Sequence, residues 1–415
     1  MRSLSRSALR GLAVGVALLA TAAAVATPSP TQAARNPAGV AAEQADGRGE
    51  LVSARHLRTM SARKVAATLA SDRFDTGMVR YGVDTYRLVY RTVDPRGRPT
   101  TASGLLVLPR NHDRRLRTVS FAHGTEINKA DAPSVATDVW GSAPAITYAS
   151  AGFAAVAPDY LGLGLGPGPH PWKHVPSETT ASLDMLRAAR GFVPTTGRSL
   201  RREVLATGFS QGASAALGLA RALQDGADRR FELRAVAPIS GAYDFRHAQL
   251  PAMLDGKLHP KLSVGYTAYL IVAWNRLHHL YDEPGELIKA PYDRTIEDLF
   301  DGHHTGEQVF AGIPDDLDGL LTPRAVELLR HPTGRLAEAL RVDAGVCTDW
   351  TPRVPIRLYV SGADQEATVV NSHHCQTWML ARGVEAPIIS VGDVDHIDSN
   401  RLGTAAAVRW FDRLR

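Results

Sequence analysis

Apolar and polar positions along this chain form a pattern that predicts strands and helices following one another. Short apolar runs predict buried strands at 118–122, 204–206, 233–239, 356–360 and 387–391. Apolar residues at helical spacing predict helices between several of these strands, at 177–190, 213–223 and 369–382. Strands that alternate with helices form mostly parallel sheets with both faces covered. The pattern therefore predicts an α/β fold with helices on both sides of one sheet.

The pattern before residue 118 is different. Apolar runs at 86–92 and 100–108 flank a turn-forming Asp-Pro-Arg-Gly sequence at 94–97, which predicts an antiparallel hairpin. Residues 35–71 are polar and weakly patterned, so we expect a flexible segment that leads into a short helix at 62–69.

The alternation is interrupted between residues 243 and 346. An apolar, helix-like patch at 266–274 is followed by a stretch rich in proline and aspartate at 282–318. The alternation resumes immediately afterwards, which favours a cap inserted into one domain over an independent domain. We therefore divide the chain into a signal peptide, a flexible region, a first α/β core segment, the cap and a second core segment, at 1–33, 34–75, 76–242, 243–346 and 347–415.

The first 33 residues have the pattern of an export signal. Three arginines in the first ten residues precede an apolar run from Gly11 to Ala26, and small residues suited to cleavage follow. This run of 16 residues is shorter than the roughly 20 that a membrane-spanning helix needs. We expect cleavage after Ala26 or Ala33 and a secreted protein with no stable membrane insertion. An uncleaved anchor is the alternative.

The composition is that of an ordinary globular protein, with 415 residues of which 44% are hydrophobic and 21% charged. The formal net charge of +5 falls to about +2 without the three arginines of the signal, and no dense cluster of Lys and Arg with interleaved aromatics occurs. We therefore expect no nucleic-acid partner.

The only cysteines, Cys347 and Cys375, form an even pair in a chain predicted to enter an oxidising compartment. We predict a disulfide between them; two free buried thiols are the alternative.

A predicted strand ends and a predicted helix begins around Ser210, within the sequence Gly-Phe-Ser-Gln-Gly at 208–212. In such a G-x-S-x-G turn the serine has a strained backbone, and the two glycines leave room for it. The N–H of Gln211 and the positive end of the helix would lie where an oxyanion develops. We therefore predict that Ser210 is a nucleophile. A chance match to the motif is the alternative.

Two later loops contain the other residues that a serine nucleophile needs. Asp364 follows one late strand and His396 follows the last, which gives the chain order Ser, Asp, His of one class of catalytic triads. His396 would accept the proton of Ser210, and Asp364 would orient the imidazole. Asp393 and Asp395 are alternative acids, but neighbours on a loop rarely reach around the ring.

A second oxyanion donor is predicted after the strand at 118–122, where the sequence continues His123, Gly124 and Thr125. A glycine directly after a strand lets backbone N–H groups face a ligand. We predict the N–H of Thr125 as the donor, with that of Gly124 as the fallback.

No cofactor or metal is predicted. The apolar run at 149–157 predicts a buried strand that leads into a glycine-rich loop at 161–168, and this loop lacks the GxGxxG and following helix of a nucleotide site. His170 and His174 have the spacing of metal ligands, but neighbouring prolines disfavour a shared helix face.

Taken together, these residues make the chain resemble the α/β-hydrolase superfamily from about residue 86 to the C-terminus. Within that superfamily the segments FAHGT, APDYLGLG, TGFSQGA and PISGAYDF and the hairpin YRLVYRTVDPRGRPTTASGLLVLP are similar to those of the secretory lipase family and its bacterial relatives. The resemblance implies an α/β-hydrolase fold with a capped acyl pocket, secreted hydrolysis of a small-molecule ester or lipid, and no cofactor. The residues after Asp364 depart from these relatives, because they lack the Val-Pro that often follows the acid.

Three functions stay open on the sequence alone. The apolar insertion favours a lipase or esterase. A secreted aminopeptidase with the same triad would need acids in the cap that bind a substrate amine, and the residues that could serve are Glu283, Glu286, Asp315, Asp316 and Asp318. A catalytically silent hydrolase fold used for binding is disfavoured, because all three types of triad residue are present. The acyl length and the oligomeric state do not follow from the sequence.

Overall fold

The computed structural model describes residues 47–414, and the predicted signal peptide lies outside them. Within this range, nine strands form one sheet in the order β1-β2-β3-β5-β4-β6-β7-β8-β9. The strands are β1 (Leu51–Met60), β2 (Val83–Val93), β3 (Pro99–Pro109), β4 (Arg115–Ala122), β5 (Ala154–Pro158), β6 (Ser199–Phe209), β7 (Glu232–Ile239), β8 (Leu358–Val360) and β9 (Ile388–Ser390).

Helices connect these strands and cover the sheet. The α-helices of the described range are α1 (Ala62–Ser71), α2 (Ala143–Ser150), α3 (Val175–Phe192), α4 (Gln211–Gln224), α5 (Leu250–Leu254), α6 (Pro260–His278), α7 (Ile296–Leu299), α8 (Gly306–Ala311), α9 (Leu317–Leu320), α10 (Pro323–Arg330), α11 (Gly334–Thr348), α12 (Val370–Leu380) and α13 (His396–Arg413). Short 3₁₀ helices and one π-helix, Phe245–Gln249, complete the connections.

The sheet is mostly parallel. Strands β1, β2, β3 and β5 pair antiparallel in that order, and all pairs from β5 through β4 to β9 are parallel. This agrees with the predicted hairpin at the start and the predicted parallel sheet after it. The carboxyl ends of parallel strands meet at one edge of a sheet, so the loops after β4, β6, β8 and β9 converge there.

The alternation of side chains along each strand explains the two covered faces. In β6, Val204 and Ala206 pack into one buried cluster with α3, α4, α11 and α12, whereas Leu205 between them packs into another with α1, α2 and α13. Successive side chains of a strand point to opposite faces, so a central strand buried on both sides is apolar throughout.

The segment between β7 and β8 is a largely helical cap. Its helices α5 to α10 share a third buried cluster, which also contains Trp172 from the loop before α3. Helix α6 supplies more of the buried residues of this cluster than any other single helix. The last helix before β8, α11, extends to Thr348 and so crosses the cap boundary predicted at residue 346.

Two predictions about the early elements are wrong. Residues 51–60, expected in a flexible segment, form β1, whose side chains are mostly exposed and which is held by backbone pairing to β2. An edge strand of this kind has no apolar alternation to detect. The strand expected at 149–157 begins only at Ala154, because residues 143–150 form α2. Every residue of α2 is buried, so periodicity does not distinguish it from a strand.

Candidate active site

Ser210 lies at the sharp turn between β6 and α4. Its φ of 55° and ψ of −119° place a non-glycine residue in a strained backbone conformation. The turn is held because the Ser210 N–H donates to the carbonyl of Ile239 and the Ser210 carbonyl accepts from the Ala213 N–H. The hydroxyl therefore stands at the carboxyl edge of the sheet, in front of the N-terminus of α4.

The two glycines of the motif are required by close backbone approach. A Cβ at Gly212 would lie 2.0 Å from the carbonyl oxygen of Ala122, and one at Gly208 would lie 2.1 Å from the carbonyl oxygen of Gly212. Neither position has space for a side chain, because the atoms it would meet are backbone atoms. These contacts bring the end of β4 against the turn that carries Ser210.

The three predicted triad residues lie within hydrogen-bond distance of one another. His396 Nε2 is 2.9 Å from Ser210 Oγ, and His396 Nδ1 is 2.7 Å from Asp364 Oδ2. The side chains of His396 and Asp364 are almost completely buried. A carboxylate only accepts hydrogen bonds, so Nδ1–H donates to Asp364 and Nε2 is left to accept from the serine hydroxyl.

Asp364 is itself fixed by its own loop. Its Oδ1 accepts the N–H groups of Glu366 and Ala367, each at 2.9 Å. Asp395, one of the alternative acids, is instead the N-cap of α13 and accepts the N–H of Asp398 at 2.7 Å. The geometry thus favours Asp364 as the partner of the imidazole.

The pKa of His396 is raised above its ordinary value by the surrounding carboxylates. Burial alone would lower the pKa, but the hydrogen bond and charge of Asp364 outweigh burial, with additional contributions from Glu366 and Asp395. A base with a raised pKa is better able to take a proton from a hydroxyl, provided that the pH is high enough to keep it neutral.

The predicted oxyanion donors face the same space as the serine. Gln211 is the first residue of α4, and both Gln211 and Thr125 line a cavity with Ser210. Among the hydrogen bonds of residues 47–414, none engages the backbone N–H of Gln211, Thr125 or the fallback donor Gly124. Gly124 also lies close to the turn, because a Cβ there would be 3.6 Å from that of Ser210.

The side chain of Gln211 belongs to a buried network that the sequence did not reveal. Its Nε2 donates to Glu178 Oε1 at 2.7 Å and to His170 Nε2 at 3.0 Å. His170 Nδ1–H donates to the carbonyl of Leu161, and burial lowers the pKa of His170 to about 3, so the ring is neutral. Both ring nitrogens of His170 thus take part in this network. No cluster of potential metal ligands occurs in the part of the chain that the structure describes.

The cavity at Ser210 is small, with a free volume of about 20 Å³. Sequence reasoning missed most of its walls, which come from the loop before α3, from the cap and from the loop after Asp364: Trp172, Lys173, Ala242, Phe245, Gln249, Tyr266, Glu366 and Ala367. Of these residues, only Glu366 is close in sequence to a predicted site residue, because it lies two positions after Asp364. None of the five cap acids considered for an aminopeptidase lines this cavity.

Those cap acids have structural roles or lie at the surface. Glu286 accepts the N–H groups of Asp282 and Glu283 and pairs with Arg324. Asp316 is the N-cap of α9, and Asp315 pairs with Lys261 at the surface.

Cys347 and Cys375 form the predicted disulfide. It joins the end of α11 to α12, which lies in the second core segment beyond Asp364. Over residues 47–414, no helix combines the length and apolar character needed to cross a membrane.

Sequence comparison finds no matching protein-family model and no matching curated protein. Many solved structures are similar in fold, including the following three. A protein from Legionella pneumophila assigned as a hydrolase has a TM-score of 0.80 at 23% identity, over 88% of this chain and 98% of that one. The rice cell wall degrading esterase LipA from Xanthomonas oryzae has a TM-score of 0.77 at 25% identity, over the same shares.

Lipase A from Candida antarctica, in its closed state, is more distant, with a TM-score of 0.62 at 15% identity over 88% of this chain and 82% of that one. At this identity the likeness concerns the fold alone. The chain therefore has the α/β-hydrolase fold, with a mostly parallel sheet, flanking helices and an inserted helical cap, and it is similar in structure to esterases and lipases.

Proposed function

We propose that this protein is a serine carboxylic ester hydrolase that works through an acyl-enzyme intermediate. The observation that carries the proposal is the continuous set of hydrogen bonds from Ser210 through His396 to Asp364, at the strained turn where α4 begins. The structural similarity to esterases and lipases supports hydrolysis as the reaction class.

In the first half of the reaction, Ser210 Oγ attacks the ester carbonyl carbon while His396 Nε2 takes the hydroxyl proton. The resulting imidazolium is stabilised by Asp364, which also holds the ring in the required tautomer. When the tetrahedral intermediate collapses, its bond to the alkoxy oxygen breaks. The imidazolium gives its proton to that oxygen, and the alcohol leaves.

The second half releases the acid. A water molecule gives a proton to His396 and attacks the acyl carbon, and the bond to Ser210 Oγ breaks as the imidazolium returns the proton to it. In both halves the negative charge on the carbonyl oxygen would be stabilised by the backbone N–H groups of Gln211 and Thr125. Loss of one such donor costs roughly 100- to 1,000-fold in kcat in serine hydrolases.

Secretion is part of the proposal. The export-signal pattern of the first 33 residues and the disulfide between Cys347 and Cys375 support an oxidising, extracellular location.

The proposal is tested by assaying the purified enzyme with 4-nitrophenyl esters from C2 to C16 alongside amino-acid 4-nitroanilides. We expect ester hydrolysis, with its maximum at short acyl chains because the cavity is small. Ser210→Ala should abolish it while leaving the melting temperature nearly unchanged. Anilide turnover that exceeds ester turnover, or ester hydrolysis that survives in Ser210→Ala, would overturn the proposal.

A further inference from the structure

We propose that Trp172 and Tyr269 are positioning residues that together hold the proposed oxyanion donor Thr125 in place for the reaction. The inference rests on the proposed ester hydrolysis at Ser210. It also gives the cap a part in that reaction, because Tyr269 belongs to the cap helix α6.

The segment that contains Thr125 has no backbone support of its own. Residues 124–127 follow the end of β4, and we call them the oxyanion loop. Within the described range, none of these four residues takes part in a backbone–backbone hydrogen bond. A loop of this kind is held only by the contacts of its side chains and carbonyl groups.

Two aromatic side chains supply such contacts to consecutive residues of the oxyanion loop. Trp172 Nε1–H donates to Thr125 Oγ1 at 3.0 Å, and the Tyr269 hydroxyl donates to the carbonyl of Glu126 at 3.3 Å. An indole N–H can only donate, so the direction of the first bond is fixed. Burial raises the pKa of Tyr269 far above its ordinary value, so its hydroxyl keeps the proton that it donates.

The two aromatic residues are themselves packed into a series of stacked rings. Trp172 and Tyr269 stack on each other with a ring separation of 5.0 Å and an interplanar angle of 12°. Tyr266 stacks on Trp172, and Phe300 stacks on Tyr269. The carbonyl of Trp172 also accepts the indole N–H of Trp274 at 3.0 Å. Close packing of buried side chains restricts each to one rotamer, so the two donors are fixed before a substrate binds.

This support matters for kcat rather than for substrate binding. Thr125 lines the cavity with Ser210, but negative charge develops on the carbonyl oxygen only in the tetrahedral intermediate. A donor that is displaced by about 1 Å therefore costs rate, up to roughly 100-fold, without weakening the ground-state complex. Both halves of the reaction use the same donor, so both should slow down together.

Two variants that each remove one polar group test the inference. Tyr269→Phe removes only a hydroxyl, and Tyr269 is not a wall of the cavity at Ser210. Thr125→Val replaces the hydroxyl that accepts from Trp172 and keeps the backbone N–H. We expect each variant to lower kcat for 4-nitrophenyl acetate by at least about fivefold, with KM within about threefold of wild type.

Tyr281→Phe is the matched control within the cap. Its hydroxyl donates to Glu297 Oε1 at 2.7 Å, and neither residue lines the cavity. The control should keep kcat within about twofold of wild type. A kcat within about twofold of wild type in either Tyr269→Phe or Thr125→Val overturns the inference.

Inhibition by ethyl trifluoromethyl ketone is a readout that a merely structural role would not move. Ser210 Oγ bonds to the carbonyl carbon, the C=O π electrons move to the oxygen, and His396 Nε2 takes the serine proton. The negative oxygen of this adduct needs the same donors as the reaction. We expect the inhibition constant to rise by the factor by which kcat/KM falls in both variants. An unchanged inhibition constant refutes the inference.

A double-mutant cycle tests the bond between Trp172 and Thr125. Trp172→Phe removes the indole N–H, and it should lower kcat by a factor at least about threefold larger in wild type than in Thr125→Val, where the acceptor is already absent. Equal factors in the two backgrounds would show that Trp172 does not act through this bond. If the double variant does not fold, Tyr269→Phe and the ketone decide.

Hydrolysis of 4-nitrophenyl acetate that Ser210→Ala abolishes separates the two levels of the argument. With this activity present and kcat unchanged in Tyr269→Phe and Thr125→Val, the proposed function stands and the positioning role is wrong. Without it, both fail.

Discussion

Glu178 is hydrogen-bonded to the side chain of Gln211, whose backbone N–H is one of the two proposed oxyanion donors. It therefore provides a test of the buried network that Glu178, Gln211 and His170 form. It is 1% exposed, and its Oε1 accepts from Gln211 Nε2, while its Oε2 has no partner among the described residues. Burial raises the pKa of Glu178 from its ordinary 4.5 to about 7, against the opposing effects of the Lys173 charge and the Gln211 hydrogen bond. The charge of Asp343 acts in the same direction as burial. We therefore predict that Glu178→Gln changes the pH dependence of stability.

The sign and size follow from proton binding. Between pH 4.5 and 7 the folded protein holds a proton on Glu178 that the unfolded chain has lost, so the wild-type protein loses stability as the pH rises through this window. The difference between the two pKa values corresponds to about 3 kcal/mol. Glutamine cannot ionise, so the stability of the Glu178→Gln variant does not fall in this way as the pH rises. It should gain about 3 kcal/mol of unfolding free energy relative to wild type between pH 4.5 and 8.

Urea unfolding of both proteins at half-unit steps between pH 4.5 and 8 measures the effect. Comparing the two proteins at each pH cancels the titration of every group that they share. Glu307→Gln, an exposed position in the first turn of α8, is the matched control and should follow the wild-type curve. Parallel curves for wild type and Glu178→Gln would show that folding leaves the pKa of this carboxyl unchanged, and the account of the network would then be wrong.

Three further predictions concern the triad, the disulfide and the turn. Asp364→Asn should lower kcat for 4-nitrophenyl acetate by roughly 10³- to 10⁴-fold, because the imidazole loses the acceptor at Nδ1; a loss of less than about tenfold would contradict the role of this acid. Replacing Cys347 and Cys375 by serine should lower the unfolding free energy in urea by about 3 to 4 kcal/mol, and an unchanged midpoint would contradict this. Gly212→Ala should reduce folded yield and activity, because its Cβ would lie 2.0 Å from a backbone carbonyl oxygen. Gly191→Ala, whose Cβ would have no atom within 4 Å, should leave the melting temperature nearly unchanged.

The sequence predicts most directly the positions of residues in the loops that follow strands. Ser210, Asp364 and His396 each follow an apolar run, and the carboxyl ends of parallel strands meet at one edge of the sheet. The apolar runs and the parallel order of the strands together therefore predict that the three side chains lie close together. The same reasoning failed for β1, because an exposed edge strand depends on backbone hydrogen bonds that leave no apolar pattern.

The cavity walls could not be placed from the sequence, because each charged group there acquires its role only through distant partners. Lys173 is a single lysine between Trp172 and His174 in the sequence, yet in the fold its ammonium group meets Ser214 of α4 and Asp343 of α11. Glu366, in contrast, keeps one carboxylate oxygen without a donor in the described range. Only the assembled structure shows which charged groups of the cavity have partners and which keep an unpaired oxygen.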